Sequence, residues 1–430
     1  MPKTIVVIGT LDTKGAEARF LRSEIGKFQD RTVLMDVSLR KHSQPMENVD
    51  ITNEEIARVV GYSMDAVAGM EKGKAIEVMT AGASRIVRSL WNDGKLNGII
   101  GFGGSVGLVL TSTIMKTLPL GVPKLIVTTI ARGAGRYIGT KDIVIFPSVP
   151  DLAGGEKVNR MEATTLAYAA GAISGMVEVD APQPPEKPLV AASQFGVTTP
   201  HLQTAKGILE KRGYEVVAFH AVGTGGQSLE ELVRSGSVKG VLDLTTHEIV
   251  DELVGGVCRA GPDRLETAGE TGVPQVILPG GLDMVVFYEP ETVPKQFDKR
   301  RFYHHNPKST LMRTTKDECL ELGKIVANKL NKSKGPTVVL IPMKGFSEDD
   351  KSGGVNTVGY NGEATQVAWY DPQADMAFIS SLETQLDSSK PNVEIIKVDH
   401  HINDPAMAEL SASILDDMIK GTWKKGKSYG

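Results

Sequence analysis

One ten-residue stretch indicates how this chain folds: Gly98-Ile99-Ile100-Gly101-Phe102-Gly103-Gly104-Ser105-Val106-Gly107. An apolar run ends in glycines and a serine, and a helical pattern follows over residues 108–115. This pattern predicts a buried strand, a tight turn and a helix N-terminus. Glycine lets the backbone approach a ligand closely, and free N–H groups at the start of a helix attract anions. The spacing matches neither a dinucleotide fingerprint nor a lysine-bearing phosphate loop. The stretch is therefore consistent equally with a phosphate or carboxylate site and with a turn that only lets helix and strand pack closely.

Length and composition describe an ordinary globular protein. The chain has 430 residues, enough for two or three domains, with 41% hydrophobic and 23% charged residues. The net charge of −4 and the lack of a Lys/Arg tract exclude a general affinity for nucleic acid. No apolar window of about 20 residues is present, so no membrane span is expected.

The cysteines and the N-terminus predict a cytoplasmic protein. Cys258 and Cys319 are the only cysteines, and neither belongs to a CxxC pair, which excludes a zinc ribbon and favours a reducing compartment. Both are expected to be buried as small apolar residues. The apolar block at residues 5–8 is too short for a secretion signal.

Short apolar runs alternate with helical patterns along the chain. Residues 5–8 and 32–37 predict two strands around one helix, a unit that right-handed crossover makes parallel. Further strands are predicted at 98–103, 121–129 and 142–146, and helices at 74–91 and 159–177.

A proline-rich linker over residues 181–188 interrupts this pattern, which then begins again. Strands are predicted after it at 189–193, 214–219, 239–246, 272–278, 337–341 and 393–398. The fold class is therefore α/β, with two Rossmann-like open parallel-sheet domains of related architecture, 1–180 and 189–430.

In open parallel sheets, ligands bind beyond the carboxyl ends of the strands. In the first domain this rule groups residues able to bind a phosphate or carboxylate group: Gly9, Thr10, Asp12, Thr13, Lys14, Gly103, Gly104, Ser105, Gly107, Thr128 and Thr129. Backbone N–H groups of the glycine stretch would hold phosphates, and the threonines would add hydroxyl contacts. Lys14 is the candidate for a compensating charge, and Asp12 could hold Mg²⁺ through water.

The second domain carries acids, bases and cations instead: His305, Arg313, Lys344, His401 and Asp404. An arginine in a cleft forks onto phosphate or carboxylate, while an arginine that caps a helix in a surface loop is the alternative. His401 and Asp404 follow the strand at 393–398 and could bind a metal, perform acid–base chemistry or cap a helix. Lys344 is predicted at the tip of a mobile lid, with a plain surface loop as the alternative.

A further cluster, His247, Glu248 and Asp251, lies on one helical face. These residue types at this spacing could bind a metal ion. The interpretation we favour is an exposed, solvated helix.

The chain resembles a known family, that of the N-terminal region of the tomato mosaic virus replication inhibitor protein and its uncharacterised bacterial and fungal relatives. The matching motifs span nearly the whole chain: Ile8-Gly9-Thr10, Asp12-Thr13-Lys14, Gly103-Gly104-Ser105, Tyr137-Ile138-Gly139-Thr140, Phe146-Pro147-Ser148-Val149, Phe195-Gly196-Val197-Thr198-Thr199-Pro200, Gly240-Val241-Leu242-Asp243, Leu282-Asp283-Met284-Val285, Leu311-Met312-Arg313-Thr314-Thr315 and His401-Ile402-Asn403-Asp404. The resemblance implies two Rossmann-like subdomains, ATP binding by the first, and self-association, so a homodimer is expected.

Three functions are compatible with these observations. The first is binding of ATP, or of a related nucleotide, with Mg²⁺, in which the first domain holds the phosphates and a ligand cleft lies between the two domains. The second is an enzyme that acts on a small anionic metabolite in that cleft. The third is a nucleotide-responsive protein-interaction module without chemistry of its own.

Overall fold

The computed structural model describes residues 2–42, 48–130, 132–180 and 186–429. The chain divides into two compact units, Met1–Gln183 and Pro184–Gly430, which we call the first and second units. Most of the predicted linker, residues 181–185, lies outside the described residues. Within those ranges no helix has the length and apolar character needed to cross a membrane.

The first unit is built on a five-stranded parallel sheet. Its strands are β1 (Thr4–Gly9), β2 (Arg31–Asp36), β3 (Gly98–Gly103), β4 (Lys124–Thr128) and β5 (Val144–Pro147). They lie in the order β2-β1-β3-β4-β5, and every neighbouring pair is parallel. The stretch that opens the sequence analysis supplies the central strand, and Gly101 pairs with Ile8 of β1.

In the described part of the first unit, seven helices accompany this sheet: α1 (Leu11–Gly26), α2 (Asn53–Val59), α3 (Met64–Ala68), α4 (Lys72–Asn92), α5 (Ser105–Met115), α6 (Gly135–Ile138) and α7 (Arg160–Glu178). Helices α1 and α7 pack on one face with Val7 and Ile100, and α2, α4 and α5 pack on the other with Ile8 and Ile99. Because successive strand residues point to opposite faces and both faces are covered, the strands are continuously apolar. The alanine-rich α7 therefore packs inside the unit, against α1.

The described residues of the second unit, 186–429, form eleven strands: β6 (Leu189–Gln194), β7 (Glu215–His220), β8 (Val238–Thr245), β9 (Gln275–Gly280), β10 (Met284–Phe287), β11 (Phe302–Asn306), β12 (Ser309–Arg313), β13 (Thr337–Pro342), β14 (Asn356–Val358), β15 (Ala364–Ala368) and β16 (Val393–Val398). Six of them form a parallel sheet in the order β16-β13-β9-β8-β6-β7. When only the parallel strands of each unit are numbered along the chain, the first sheet has the order 2-1-3-4-5. The second sheet, read from β7, has the same order with a sixth strand added at the end. The predicted related Rossmann-like architecture is thus confirmed.

The other five strands form an antiparallel sheet in the order β10-β12-β11-β14-β15, which the sequence analysis did not predict. Its strands are short, β11 and β15 are partly exposed, and β11 carries Tyr303, His304 and His305 in a row. A half-solvated antiparallel strand has no continuous apolar run. For this reason hydrophobic periodicity does not identify strand β11 in the sequence.

The helices of the second unit are α8 (Thr199–Lys211), α9 (Thr224–Arg234), α10 (Glu248–Val254), α11 (Thr267–Thr271), α12 (Lys316–Leu330), α13 (Pro372–Gln385) and α14 (Pro405–Ile419). Helices α8 and α14 cover one face of the parallel sheet. Helices α9 and α11 cover part of the other face. The rest of that face packs with α10, α12, α13 and the antiparallel sheet in one core.

Candidate functional site

The first candidate site lies at the carboxyl edge of the first unit's sheet. Strands β1 and β3 are neighbours, and helices α1 and α5 leave them on opposite faces. A crevice forms at such a switch point in open α/β sheets, and ligands bind there. The structure therefore brings together the loops after β1 and β3, as the sequence analysis required for a nucleotide site.

The N-terminus of α5 presents unoccupied hydrogen-bond donors at this crevice. Its N-cap residue is Gly104, which supplies no side-chain cap. The first backbone hydrogen bond of the helix is donated by Leu108 to Gly104 at 2.8 Å. The N–H groups of Ser105, Val106 and Gly107 find no acceptor within the described part of the chain. These three donors and the positive end of the helix dipole are suited to an anion.

The glycines of this turn have two different explanations. Gly103 has φ +142°, and a Cβ on Gly107 would lie 2.9 Å from the Phe102 carbonyl oxygen, so packing requires both. Gly104 has φ −78°, a conformation open to any residue. A Cβ there would meet only the Thr129 hydroxyl, at 3.8 Å. Close packing therefore explains Gly103 and Gly107 but not Gly104, whose missing side chain leaves the helix N-terminus accessible.

The loop after β1 offers side chains, and the first N–H groups of α1 already have acceptors. The Leu11 N–H donates to the Asp36 carboxylate at 3.1 Å, and the Asp12 N–H to the Ser38 hydroxyl at 3.0 Å. The next two N–H groups, of Thr13 and Lys14, donate to the Thr10 carbonyl. The exposed side chains of Asp12 and Thr13 remain available. Among the described residues, the first N–H groups of α1 therefore have acceptors, whereas those of α5 do not.

Lys14 does not point a free ammonium group at the crevice. Its Nζ donates to the carbonyl of Leu152, in the segment between β5 and α7. That segment lies directly on α1, because a Cβ on Gly154 would be 2.1 Å from the Thr13 carbonyl oxygen. Lys14 would have to give up its carbonyl partner to bind a phosphate.

The two predicted threonines after β4 have different surroundings. Thr128 is buried, and its hydroxyl accepts the Ile130 N–H at 3.1 Å. Thr129 is partly exposed and is the residue that faces Gly104. Thr129 is therefore the better placed of the two for a ligand contact.

The sequence analysis missed a buried carboxylate that organises this edge. Asp36, the last residue of β2, accepts hydrogen bonds from Leu11, from the Ser38 hydroxyl at 2.5 Å and from His42 Nε2 at 2.5 Å. An acidic residue at the very end of a predicted strand was the available signal. Asp36 holds the β1 and β2 loops together, so it is a positioning residue of the site.

Three residues of the second predicted set meet in one pocket of about 640 Å³ at the carboxyl edge of the second unit's parallel sheet. Lys344 follows β13, and His401 and Asp404 follow β16. The pocket is lined by Lys344, Glu348, Lys351, Ser352, Tyr370, His401, Asn403 and Asp404. His305 is exposed on β11 and does not belong to the set of residues that line this pocket.

His401 is held by hydrogen bonds at both ring nitrogens. The Asn403 N–H donates to Nδ1 at 3.2 Å, so the ring proton is on Nε2, which donates to the Ser347 carbonyl at 2.8 Å. The Asp404 carboxylate accepts the His401 N–H at 2.9 Å. These contacts order the loop, and His401 can transfer a proton only by breaking its bond to Ser347.

The predicted lid is a packed turn. Lys344 is exposed and forms an ion pair with Asp399 at 3.1 Å. Phe346 and Ser347 are buried, and the Ser347 hydroxyl donates to Asp283 at 2.8 Å. Within residues 344–347 only Lys344 is exposed to solvent, which agrees with the predicted cationic tip.

Arg313 is buried inside the second unit and makes intramolecular contacts. Its guanidinium group donates to Asp375 at 2.8 Å, to Thr314 at 2.7 Å and to the Trp369 carbonyl at 3.1 Å. The side chain is completely inaccessible, so it cannot fork onto a ligand in a cleft. Burial and the charge of Asp350 raise the pKa of the nearby Asp283 to about 7.

The cluster on α10 is buried, and the interpretation of a solvated helix was wrong. His247, Glu248 and Asp251 are each 0% exposed. Glu248 accepts from Arg264 at 2.7 Å, and Arg264 also binds Asp243 at 2.5 Å. Although burial opposes its charge, Asp243 holds the pKa of Arg264 well above its usual value. Periodicity alone did not reveal this network because its members come from separate segments.

Two family models match the chain almost end to end. The model of the N-terminal domain of the uncharacterised protein family UPF0261 matches residues 3–182, and that of its C-terminal domain matches residues 187–419. The chain is 43% identical over 423 residues to a UPF0261 protein of Clostridium tetani, covering 98% of this chain and 100% of that one. It is 33% identical over 443 residues to the ToMV susceptible protein tm-1(GCR26) of Solanum lycopersicum, covering 98% of this chain and 56% of the tomato protein.

Similarity to solved structures is weak. Acinetobacter baumannii MurG aligns at 14% identity over 65% of this chain and 78% of its own, with a TM-score of 0.24. A UDP-N-acetylglucosamine 2-epimerase aligns at 10% identity over 65% of this chain and 79% of its own, with the same TM-score of 0.24. Scores this low carry no argument, so the description of the fold rests on the strand order.

Proposed function

Since the chain belongs to the uncharacterised UPF0261 protein family, we propose a function from its own geometry: the first unit binds the phosphate groups of a nucleotide, with ATP as the specific candidate. The observation that carries the proposal is the accessible N-terminus of α5. Three N–H donors, on Ser105, Val106 and Gly107, share a position at the switch point of the sheet. Gly104 leaves them uncovered without a packing reason.

Helix polarity makes this end of α5 attractive to phosphate. The unpaired donors carry a partial positive charge of about half an elementary charge at a helix N-terminus. Ser105 is exposed and adds a hydroxyl donor, and Thr129 adds another beside Gly104. Thr10 and Thr13 supply hydroxyl groups from the neighbouring loop. Backbone and hydroxyl donors therefore do most of the binding, and Lys14 contributes only if it releases the Leu152 carbonyl.

Asp12 is the residue we propose for a magnesium ion that accompanies the nucleotide. Its carboxylate is exposed next to the crevice, and in hydrogen bonding it meets only the Thr13 hydroxyl, at 3.5 Å, among the described residues. Magnesium keeps several waters and is usually bound by one or two carboxylates together with substrate phosphates. A single carboxylate fits that mode, in which the phosphates complete the coordination.

The variant Gly104→Asp is expected to weaken ATP binding by at least about tenfold, equivalent to about 1.4 kcal/mol. An aspartate at the N-cap accepts hydrogen bonds from the donors that phosphate would use, and its charge repels phosphate. Isothermal titration calorimetry with ATP and Mg²⁺ measures the change.

The matched control is Gly104→Ala. A Cβ fits at this position, meeting only the Thr129 hydroxyl at 3.8 Å, so the control adds bulk without charge. We expect near wild-type affinity from it, and both variants should unfold at temperatures close to that of the wild type. Absence of binding heat in the wild type at millimolar ATP, or equal binding by both variants, would refute the proposal.

We propose a second candidate, an enzyme acting on a small anionic metabolite, on the basis of the pocket in the second unit. Lys344, Lys351 and His401 supply cationic and hydrogen-bonding groups on its wall. Loss of ATP turnover in His401→Ala would favour the enzyme, whereas tight binding without turnover would favour the interaction module. The predicted cleft between the two domains stays a prediction.

A further inference from the structure

We propose that His247, Asp251 and Cys258 form a binding site for a divalent transition metal of the zinc class, inside the second unit. The imidazole nitrogen, carboxylate oxygen and thiol sulfur all lie within 4.8 Å of one another, and all three residues are buried. Nitrogen, oxygen and sulfur ligands of this kind are those that Zn²⁺ prefers. The site is independent of the nucleotide site proposed above.

The local fold explains why these three side chains converge. His247 is the N-cap of α10, and Asp251 lies one turn later on the same helix. The chain then reverses at Gly255, which has φ +99°, and returns Cys258 alongside Asp251. The Cys258 N–H donates to the Asp251 carboxylate at 2.7 Å, which fixes this return.

His247 is the observation that points to a ligand. Both ring nitrogens are buried, and neither has a hydrogen-bond partner among the described residues. The ring stacks on Phe195 with centroids 4.5 Å apart, which sets its plane but satisfies no nitrogen. A buried polar group without a partner costs about 1–3 kcal/mol. A metal ion bound to the nitrogen that faces Asp251 and Cys258 removes part of this cost.

The charge around the site also favours a cation. Glu230, Asp243, Glu248 and Asp251 are buried there, and Arg264 is the buried cation that the described residues place against them. The exposed Arg259 acts on Asp251 only from the surface. Buried charges need to be paired, and a divalent ion at Asp251 reduces the excess of negative charge.

Asp251 is held in a position that suits a metal ligand. Its oxygens accept the N–H groups of Val286 at 2.9 Å and Cys258 at 2.7 Å, which leaves each oxygen a further lone pair. A Cβ on Gly256 would lie 2.2 Å from the Asp251 carboxyl carbon, so only glycine allows this carboxylate position. Backbone donors that orient a ligand are typical of metal sites.

Metal binding requires a small closure of the ligands and loss of one proton. Zinc bonds of about 2.0–2.3 Å place tetrahedral ligand atoms roughly 3.5 Å apart, so the widest separation must shorten by about 1 Å. Rotations of the His247 and Cys258 side chains supply this movement. The Cys258 thiol releases its proton to the solvent as the sulfur–metal bond forms. The ion would tie the loop before Cys258 to α10, and a water molecule would complete the four-coordinate site, since only three protein ligands converge.

Cobalt titration of the full chain tests the site. The protein is stripped with chelator, kept reduced and titrated with Co²⁺ alone. We expect one Co²⁺ per chain, a near-ultraviolet thiolate-to-cobalt charge-transfer band, and bleaching of that band by Zn²⁺. Cys258→Ser should abolish the band and lower Zn²⁺ affinity by about a hundredfold. Cys319→Ser is the matched control, because Cys319 is also buried but lies in the separate Arg313 cluster.

Thermal unfolding gives a second measurement that does not depend on the spectrum. Zn²⁺ should raise the unfolding temperature of the wild type and of Cys319→Ser, but not that of Cys258→Ser. Absence of a charge-transfer band in the wild type would overturn the proposal. A band that survives in Cys258→Ser and is lost in Cys319→Ser would overturn it as well.

Discussion

Replacing Arg313 by methionine is expected to lower the free energy of unfolding by about 3–5 kcal/mol, because the change leaves buried carboxylates without their counter-ion. The guanidinium group lies 2.8 Å from Asp375 and 3.4 Å from Asp350. Asp283 is 0% exposed beside them, and its Oδ1 has no hydrogen-bond partner among the described residues. Methionine fills similar volume but supplies no charge and no donor.

The penalty should become smaller as the pH is lowered from 8 to 6. Burial and Asp350 raise the pKa of Asp283 to about 7, so this carboxyl group gains a proton over that range. A protonated carboxyl group needs no counter-ion, and the loss of Arg313 then costs less. Chemical denaturation of the wild type and of Arg313→Met at both pH values measures the two effects.

Lys308→Met is the matched control for this experiment. Lys308 pairs with Glu289 at 2.8 Å, but its side chain is 78% exposed, so its loss should lower the stability far less than the loss of Arg313. An Arg313→Met protein with wild-type stability and lost ligand binding would contradict our assignment. That result would instead support the prediction from sequence that Arg313 lies in a cleft and binds a ligand.

His201 should make the second unit sensitive to acid. Burial lowers the pKa of His201 to about 4, from 6.5 in an exposed histidine. The ring is completely buried between the Ile402 carbonyl at 2.6 Å and the Ser411 hydroxyl at 2.8 Å. Below pH 6.5 the unfolded chain binds a proton that the folded chain does not. Stability therefore falls as the pH drops from about 6.5 to 4, by roughly 3 kcal/mol for this residue.

The variant His201→Gln isolates this contribution. Burial also lowers the pKa of His247, to about 3, and adds to the wild-type acid sensitivity, so the difference between the two proteins is the quantity to measure. The free energy of unfolding of the variant should depend less steeply on pH, by up to about 1.4 kcal/mol per pH unit. Titration of the His201 ring near pH 6.5 in the folded protein, followed by NMR, would contradict the prediction.

Local sequence patterns were sufficient to identify the parallel sheets. Short β-branched runs alternate with helical periodicity, and right-handed crossover makes consecutive strands parallel. The buried strand, turn and helix at residues 98–115 are therefore present as β3 and α5. Burial of both cysteines was also predictable, since a free cysteine behaves as a small hydrophobic residue.

The residue types at the proposed nucleotide site could likewise be predicted from sequence, because these residues follow the ends of predicted strands. Whether the polar groups of these residues are free to bind a ligand could not be predicted. Lys14 binds the carbonyl of Leu152, 138 residues away, and Leu11 binds Asp36. Such contacts depend on which strands are neighbours in the sheet, and a short segment of sequence does not determine the strand order.

Only the tertiary structure showed which polar and charged residues of the second unit are buried and which partners they contact. Arg313 and His247 have side chains that suit a ligand site, and in sequence nothing distinguishes a cleft from a core. Folding places Arg313 against two aspartates and brings Cys258 to His247 and Asp251. The physical reason is that a buried charge is stable only beside its partners, and those partners come from distant segments. Hydrophobic periodicity thus determined the sheets, whereas long-range packing determined which polar groups remain free to act.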